Sequence, residues 1–139
     1  MNKMYYRRIP KWKYQLGNKF SYDTGIEVET AIVTRFITLE RNGMIHLDSG
    51  YACDGPSGIT IDTKSFMRGA FVHDAFYQLM RLGLLPYSYR IKADRLLKKM
   101  CIEDGMYKWR ANYVYFFVRT CAGFAAKPKK EHQKIYSAP

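Results

Sequence analysis

The chain has 139 residues, with 23 Lys and Arg against 12 Asp and Glu and a formal net charge of +11. That length fits one domain, and 47% hydrophobic residues are enough to build a packed core. No stretch reaches the roughly 18 apolar residues of a spanning helix, so the chain is expected to be soluble, with any membrane contact peripheral.

Aromatic residues are 16% of the chain, including 12 Tyr and 8 Phe. Tyr buries a ring while keeping its hydroxyl wet, which suits surfaces half in and half out of water. Basic residues crowd both ends, at Lys3, Arg7, Arg8, Lys11 and Lys13 and again at Lys127, Lys129, Lys130 and Lys134. They read either as solvated termini or as a docking surface for an anionic partner. Charge alone speaks for nucleic acid; no recognition motif accompanies it, so nucleic acid is not the expected partner. Cys53, Cys101 and Cys121 have no metal or redox spacing, and residues 1–6 contain no apolar run. An odd cysteine count without a signal peptide predicts a reducing compartment.

In chain order, residues 1–49 read as an antiparallel β-meander. Residues 11–16 (Lys-Trp-Lys-Tyr-Gln-Leu) alternate basic with apolar, the period of a half-buried strand. Residues 36–40 and 44–48 flank Arg41-Asn42-Gly43, and Asn-Gly between β-prone runs signals a tight hairpin. Gly17-Asn18 and Asp23-Thr24-Gly25 supply earlier turns. Residues 50–64 are glycine-rich at their start (Gly-Tyr-Ala-Cys-Asp-Gly-Pro-Ser-Gly over 50–58) and are expected to be loop.

From about Ser65 the period becomes helical: Phe66, Ala70, Val72, His73, Phe76, Tyr77 and Met80 recur at three and four, and Leu82-Gly83 closes the run. Pro86 and Ser88 restart it. Ile91, Leu96, Leu97, Met100 and Cys101 form a second stripe stopped by Gly105, and residues 107–124 predict a third, aromatic helix. The expected fold is a single α+β domain: meander, glycine-rich loop, helices over 65–124 with two packed antiparallel, and a basic tail over 125–139.

His73 and Asp74 lie mid-helix, so their side chains diverge by about 100° and serve different purposes. Tyr77 is one turn beyond His73 on the same face. A short connection places Asp94 on the facing helix, within reach of His73 or of a water beside it. A histidine oriented by a carboxylate is a general base suited to neutral pH. Asp74 is then available to ligate a hard cation, together with backbone carbonyls turned inward by the loop. In the blander reading His73 and Tyr77 are packed helix residues, and Asp94 pairs with Arg90 at i,i+4.

The order of these motifs resembles phospholipase A2, most closely its small bacterial and fungal forms. The residues are Tyr51-Ala-Cys-Asp-Gly-Pro-Ser-Gly, Val72-His-Asp-Ala-Phe-Tyr and Arg90-Ile-Lys-Ala-Asp94-Arg-Leu-Leu-Lys-Lys-Met-Cys101. The chain also resembles, over roughly residues 48–123, a family of uncharacterised bacteriophage proteins. That family shares an Asp-Gly-x-Ser loop, a His-Asp-x-x-Tyr helix and a later Arg-x-x-Ala-Asp helix. The phospholipase likeness implies a calcium-dependent ester hydrolase. His73 would deprotonate water, Asp94 would orient His73, and Tyr77 would brace the pair. Asp74 and carbonyls of Tyr51, Cys53 and Gly55 would hold calcium. The chain departs from that pattern in lacking most of the disulfides of the secreted enzymes and in carrying Asp54 in the loop. Asp54, Ser57 and Arg90 are further site candidates.

The phage likeness brings no settled function of its own. Joined to the phospholipase likeness it implies a lipid-directed hydrolase used at entry or lysis, in the host cytoplasm or the virion. The net charge of +11 with the aromatic third helix suits an anionic membrane surface. Two other readings fit the same residues. One is a non-enzymatic virion or host-interaction protein that keeps the His-Asp network structurally; the other is a peptidoglycan hydrolase.

Overall fold

Local turn chemistry organises the first half of the chain. The computed structural model describes residues 3–9, 13–53 and 64–128. Strands β1 (Tyr6–Ile9), β2 (Lys13–Leu16), β3 (Phe20–Asp23), β4 (Ile32–Val33), β5 (Ile37–Leu39), β6 (Met44–Leu47) and β7 (Ala52–Cys53) all pair antiparallel. They form two sheets, with orders β1-β2-β7 and β3-β6-β5-β4. The second contains the expected hairpin. Gly43 takes a φ of 95°, its N–H bonds the Glu40 carbonyl at 2.9 Å, and Glu40 N–H bonds the Met44 carbonyl at 2.8 Å. Arg41-Asn42-Gly43 is thus a three-residue loop with glycine at the left-handed position. Asn42 contributes its Oδ1, which accepts Met44 N–H at 3.0 Å. Ile37, Leu39, Ile45 and Leu47 point inward and are buried, as the period of two requires.

The N-terminal residues join the expected meander: Tyr6 pairs Leu16 and Ile9 pairs Lys13, making β1 an edge strand whose exposed Arg7 and Arg8 keep that edge polar. Two expectations are corrected. The glycine-rich segment is not irregular from its start, because Ala52–Cys53 joins β2 as a strand. Non-local pairing across 37 residues is invisible to local propensity. The third helix ends earlier than residue 124: it runs Lys108–Cys121, breaks at Ala122, and a short turn of helix covers Gly123–Ala126.

The helices otherwise follow their punctuation. Helix α1 (Lys64–Arg81) stops before Gly83, which takes a φ of 76°. A 3-10 turn (Tyr87–Tyr89) after Pro86 leads into α2 (Arg90–Glu103), stopped at Gly105 with a φ of 98°. Helix α3 (Lys108–Cys121) and α4 (Gly123–Ala126) complete the described chain. No helix of the described residues is long and apolar enough to cross a membrane.

Helix α1 is the centre of the fold. Its buried residues include Met67, Phe71, Ala75 and Leu79 as well as the expected stripe apart from half-buried His73, so it is covered on several sides. Contacts with α2 run in opposite directions: Arg68 meets Asp104, Gly69 abuts Leu97, His73 meets Asp94, and Tyr77 meets Arg90. The two helices are therefore antiparallel. At the far end Arg68 bonds Asp104 at 2.6 Å while its guanidinium lies over the rings of Phe20 and Tyr22, joining both helices to the second sheet.

The hairpin yields a direct test. A Cβ at position 43 would lie 2.8 Å from the Ile26 nitrogen and 3.0 Å from its carbonyl oxygen, in a left-handed conformation. Gly43→Ala should therefore destabilise the fold by about 1–3 kcal/mol in denaturant titration; an unchanged midpoint would show that the loop is not held as described.

Candidate functional site

One turn of α1 sends two adjacent side chains to two different places. His73 faces α2, and Asp74 faces the strand side, where the Tyr51 hydroxyl donates to its Oδ2 at 2.6 Å. The divergence read from helix geometry is present.

On the α2 side, Asp94 has no exposed surface. Its Oδ1 receives His73 Nε2 at 2.6 Å and the Tyr77 hydroxyl at 2.6 Å. Its Oδ2 receives Arg119 Nη1 at 2.9 Å, with Arg90 Nε 3.7 Å away. Burial by itself would raise the Asp94 pKa. The hydrogen bond and charge of His73, with bonds from Tyr77 and Arg119, outweigh that and hold it below its ordinary value. Asp94 is thus an anion at neutral pH. Tyr77 is pushed the other way, by burial first and then by its bond to Asp94, against an opposing contribution from Arg90. It remains a neutral donor.

An ionised carboxylate only accepts hydrogen bonds, so His73 Nε2 must carry the proton. In the neutral ring the lone pair then sits on Nδ1, for which the described residues offer no hydrogen-bond partner. Tyr77 packs on the imidazole with ring centroids 4.2 Å apart, fixing its orientation. The result is an oriented base: donor nitrogen on an anion, acceptor nitrogen turned away from it.

Arg90 holds this arrangement to the third helix. Its Nε donates to the Tyr77 hydroxyl at 3.0 Å, and its Nη2 donates to the carbonyls of Val118 and Arg119 at 2.6 and 2.8 Å. Those carbonyls belong to the end of α3, where helices leave acceptors short of partners; that of Val118 also accepts Ala122 N–H at 3.2 Å. A Cβ at Gly123 would approach Arg90 Nη1 to 3.0 Å, so glycine there admits the guanidinium. The i,i+4 pairing of Arg90 with Asp94 and the pairing of Asp94 with His73 are both present.

Arg119 was not among the expected site residues. It lies 25 positions from Asp94, beside the Ala111, Val114 and Val118 seam of α3, and no local pattern ties it to a carboxylate.

On the strand side the expected cation ligands are only partly described. The Tyr51 carbonyl accepts Leu16 N–H at 2.8 Å. Cys53 is buried in β7 opposite Tyr14. Burial, then the Asp74 charge and hydrogen bond, push the Tyr51 hydroxyl well above its ordinary pKa, so it stays a donor. Gly55, Asp54 and Ser57 lie outside the described residues. Among the described residues no group of three His, Cys, Asp or Glu is placed to hold a metal.

Comparisons with protein-family models, with curated proteins and with solved structures find no match to this chain.

The electrostatics predict a pH signature. Asp94 binds its proton less readily in the fold than in the unfolded chain, so its ionisation stabilises the fold above about pH 4, and that stabilisation is lost as pH falls through the lower folded value. Asp94→Asn should cost roughly 3–5 kcal/mol at neutral pH, because the half-buried Arg90 and Arg119 lose their fully buried anion. The gap should narrow below about pH 4. Denaturant titrations across pH read it, and a gap that stays constant from neutral pH to about pH 3 contradicts the assignment.

Proposed function

We propose that the chain is a phage-encoded, calcium-dependent ester hydrolase of the phospholipase A2 kind, acting at an anionic membrane surface during entry or lysis. The observation that carries this reading is the 2.6 Å contact of His73 Nε2 with buried, ionised Asp94, which leaves Nδ1 as the acceptor. Motif order supports it as well: a glycine-containing segment, then His-Asp-x-x-Tyr, then Asp on the antiparallel helix.

In this mechanism His73 Nδ1 removes a proton from water as the water oxygen attacks an ester carbonyl. The imidazolium that forms is stabilised by Asp94 through Nε2, and Arg119 and Tyr77 keep the carboxylate in place. The proton then passes from Nδ1 to the departing alkoxide, which restores the neutral ring. Asp74 offers a hard oxygen ligand about 100° around α1 from His73, beside the Tyr51 hydroxyl, and with carbonyls of residues 51–58 it would hold calcium. The bound ion would supply Lewis-acid polarisation of the ester carbonyl and charge for the oxyanion.

A second reading has its own observation. Asp94 and Arg90 join α1, α2 and α3 through side-chain and carbonyl bonds, an arrangement that also serves a non-enzymatic virion or host-interaction protein. There His73→Ala would lower stability by about 1–3 kcal/mol and change nothing else.

Turnover separates the two. Wild-type protein should hydrolyse phospholipid in mixed micelles with calcium and lose that activity to a chelator. His73→Ala should reduce kcat by about 10²–10⁴-fold while circular dichroism shows the fold retained. If neither the chelator nor the substitution alters turnover in a folded protein, the hydrolase reading fails.

A further inference from the structure

Helix α3 has two faces that obey different rules. Ala111, Val114 and Val118 are buried in the fold. On the other side Trp109 is 70% exposed, Tyr113 56% and Phe116 69%, with Tyr107 at 72% just before the helix. At about 100° per residue, positions 109, 113 and 116 fall within roughly 60° of one another, so the rings form one stripe. Water-facing helix surfaces seldom carry such a run of large rings without a partner.

The charge around the stripe names the partner. Between Asp104 and Glu131 the sequence contains no acidic residue, while Lys108 and Arg110 on α3 and Lys127 after it are basic, Arg119 being paired with Asp94. By the same helical angles Lys108 and Arg110 flank opposite sides of the stripe. A second copy is disfavoured, because a symmetric contact would bring these cations together with no acid on the face to answer them. Single-stranded nucleic acid prefers a groove in which cations and rings interleave; here the rings occupy the centre and the cations the flanks. Rings at the level of lipid headgroups, with Lys and Arg beside them reaching anionic phosphates, are the pattern of a helix lying in a membrane interface.

We propose that the Trp109-Tyr113-Phe116 face of α3 docks the protein onto an anionic phospholipid bilayer, lying in the headgroup plane without crossing it. Arg119, on the same helix one turn from Phe116, contacts Asp94, so the docking helix is bonded directly to the His73 network. As a route to substrate this surface rests on the hydrolase reading. As a binding surface it is measured without turnover.

The test uses the full chain and vesicles of phosphatidylcholine alone or mixed with phosphatidylglycerol. Sedimentation should show at least ~10-fold tighter binding to the mixed vesicles, weakening as salt rises. In a Trp12→Phe background, brominated acyl chains should quench Trp109 fluorescence. Phe116→Ser should weaken binding by about 10-fold, whereas Val33→Ser, at an apolar residue 73% exposed on β4, should leave it unchanged. Equal affinity for both vesicle types, unquenched Trp109, indifference to Phe116→Ser, or a dimer that Phe116→Ser dissolves would each overturn the proposal. Vesicle binding with no ester hydrolysis keeps the surface and removes the hydrolase. Hydrolysis of a monomeric short-chain ester without vesicle binding does the reverse.

Discussion

A carboxylate with no exposed surface is the constraint around which the helices are arranged. Removing Asp94 from water is unfavourable unless its lone pairs are matched by donors, and those come from the two other helices: His73 and Tyr77 from α1 and Arg119 from α3, with the Arg90 charge of α2 itself 3.7 Å away. Each donor is held in turn. Tyr77 receives Arg90, and Arg90 closes the last turn of α3 through two carbonyls. Position and protonation therefore determine each other: the ionised anion dictates which nitrogen of His73 carries hydrogen, and the ring stack with Tyr77 dictates where the other nitrogen points.

The same economy of position appears on α1 and α3. Residues 73 and 74 are neighbours in sequence and, about 100° apart around one helix, meet different elements, His73 α2 and Asp74 Tyr51. On α3, one edge supplies Arg119 to the buried anion, while the outward face displays three large rings. A helix that is apolar inside and aromatic outside has two surfaces to satisfy, and only one of them is satisfied by the fold.

Much of this is legible in the sequence. Gly83, Pro86 and Gly105 punctuate the helices because their backbone preferences act locally, and the periodicity of Phe66 to Met80 marks α1. The pairing of His73 with Asp94, and its separation from Asp74, follow from 3.6 residues per turn and a short connection between antiparallel helices. What was not legible is non-local. The charges of β1 disguise a strand whose partner is β2, and the pairing of β7 with β2 spans too much chain for any local pattern. The helical stripe understated α1, because a helix covered on several sides loses a single apolar face. Arg119 resembles any solvated basic residue until the third helix is placed.

The central claim is that His73 is held with its proton on Nε2 and its lone pair on Nδ1. Nitrogen-15 spectra of the imidazole ring at a pH where it is neutral test this most directly. The account predicts the Nε2–H tautomer, with a hydrogen-bonded Nε2 proton shifted downfield in wild type and displaced in Asp94→Asn. An Nδ1–H tautomer, or a ring whose nitrogen shifts are the same in both proteins, would contradict it.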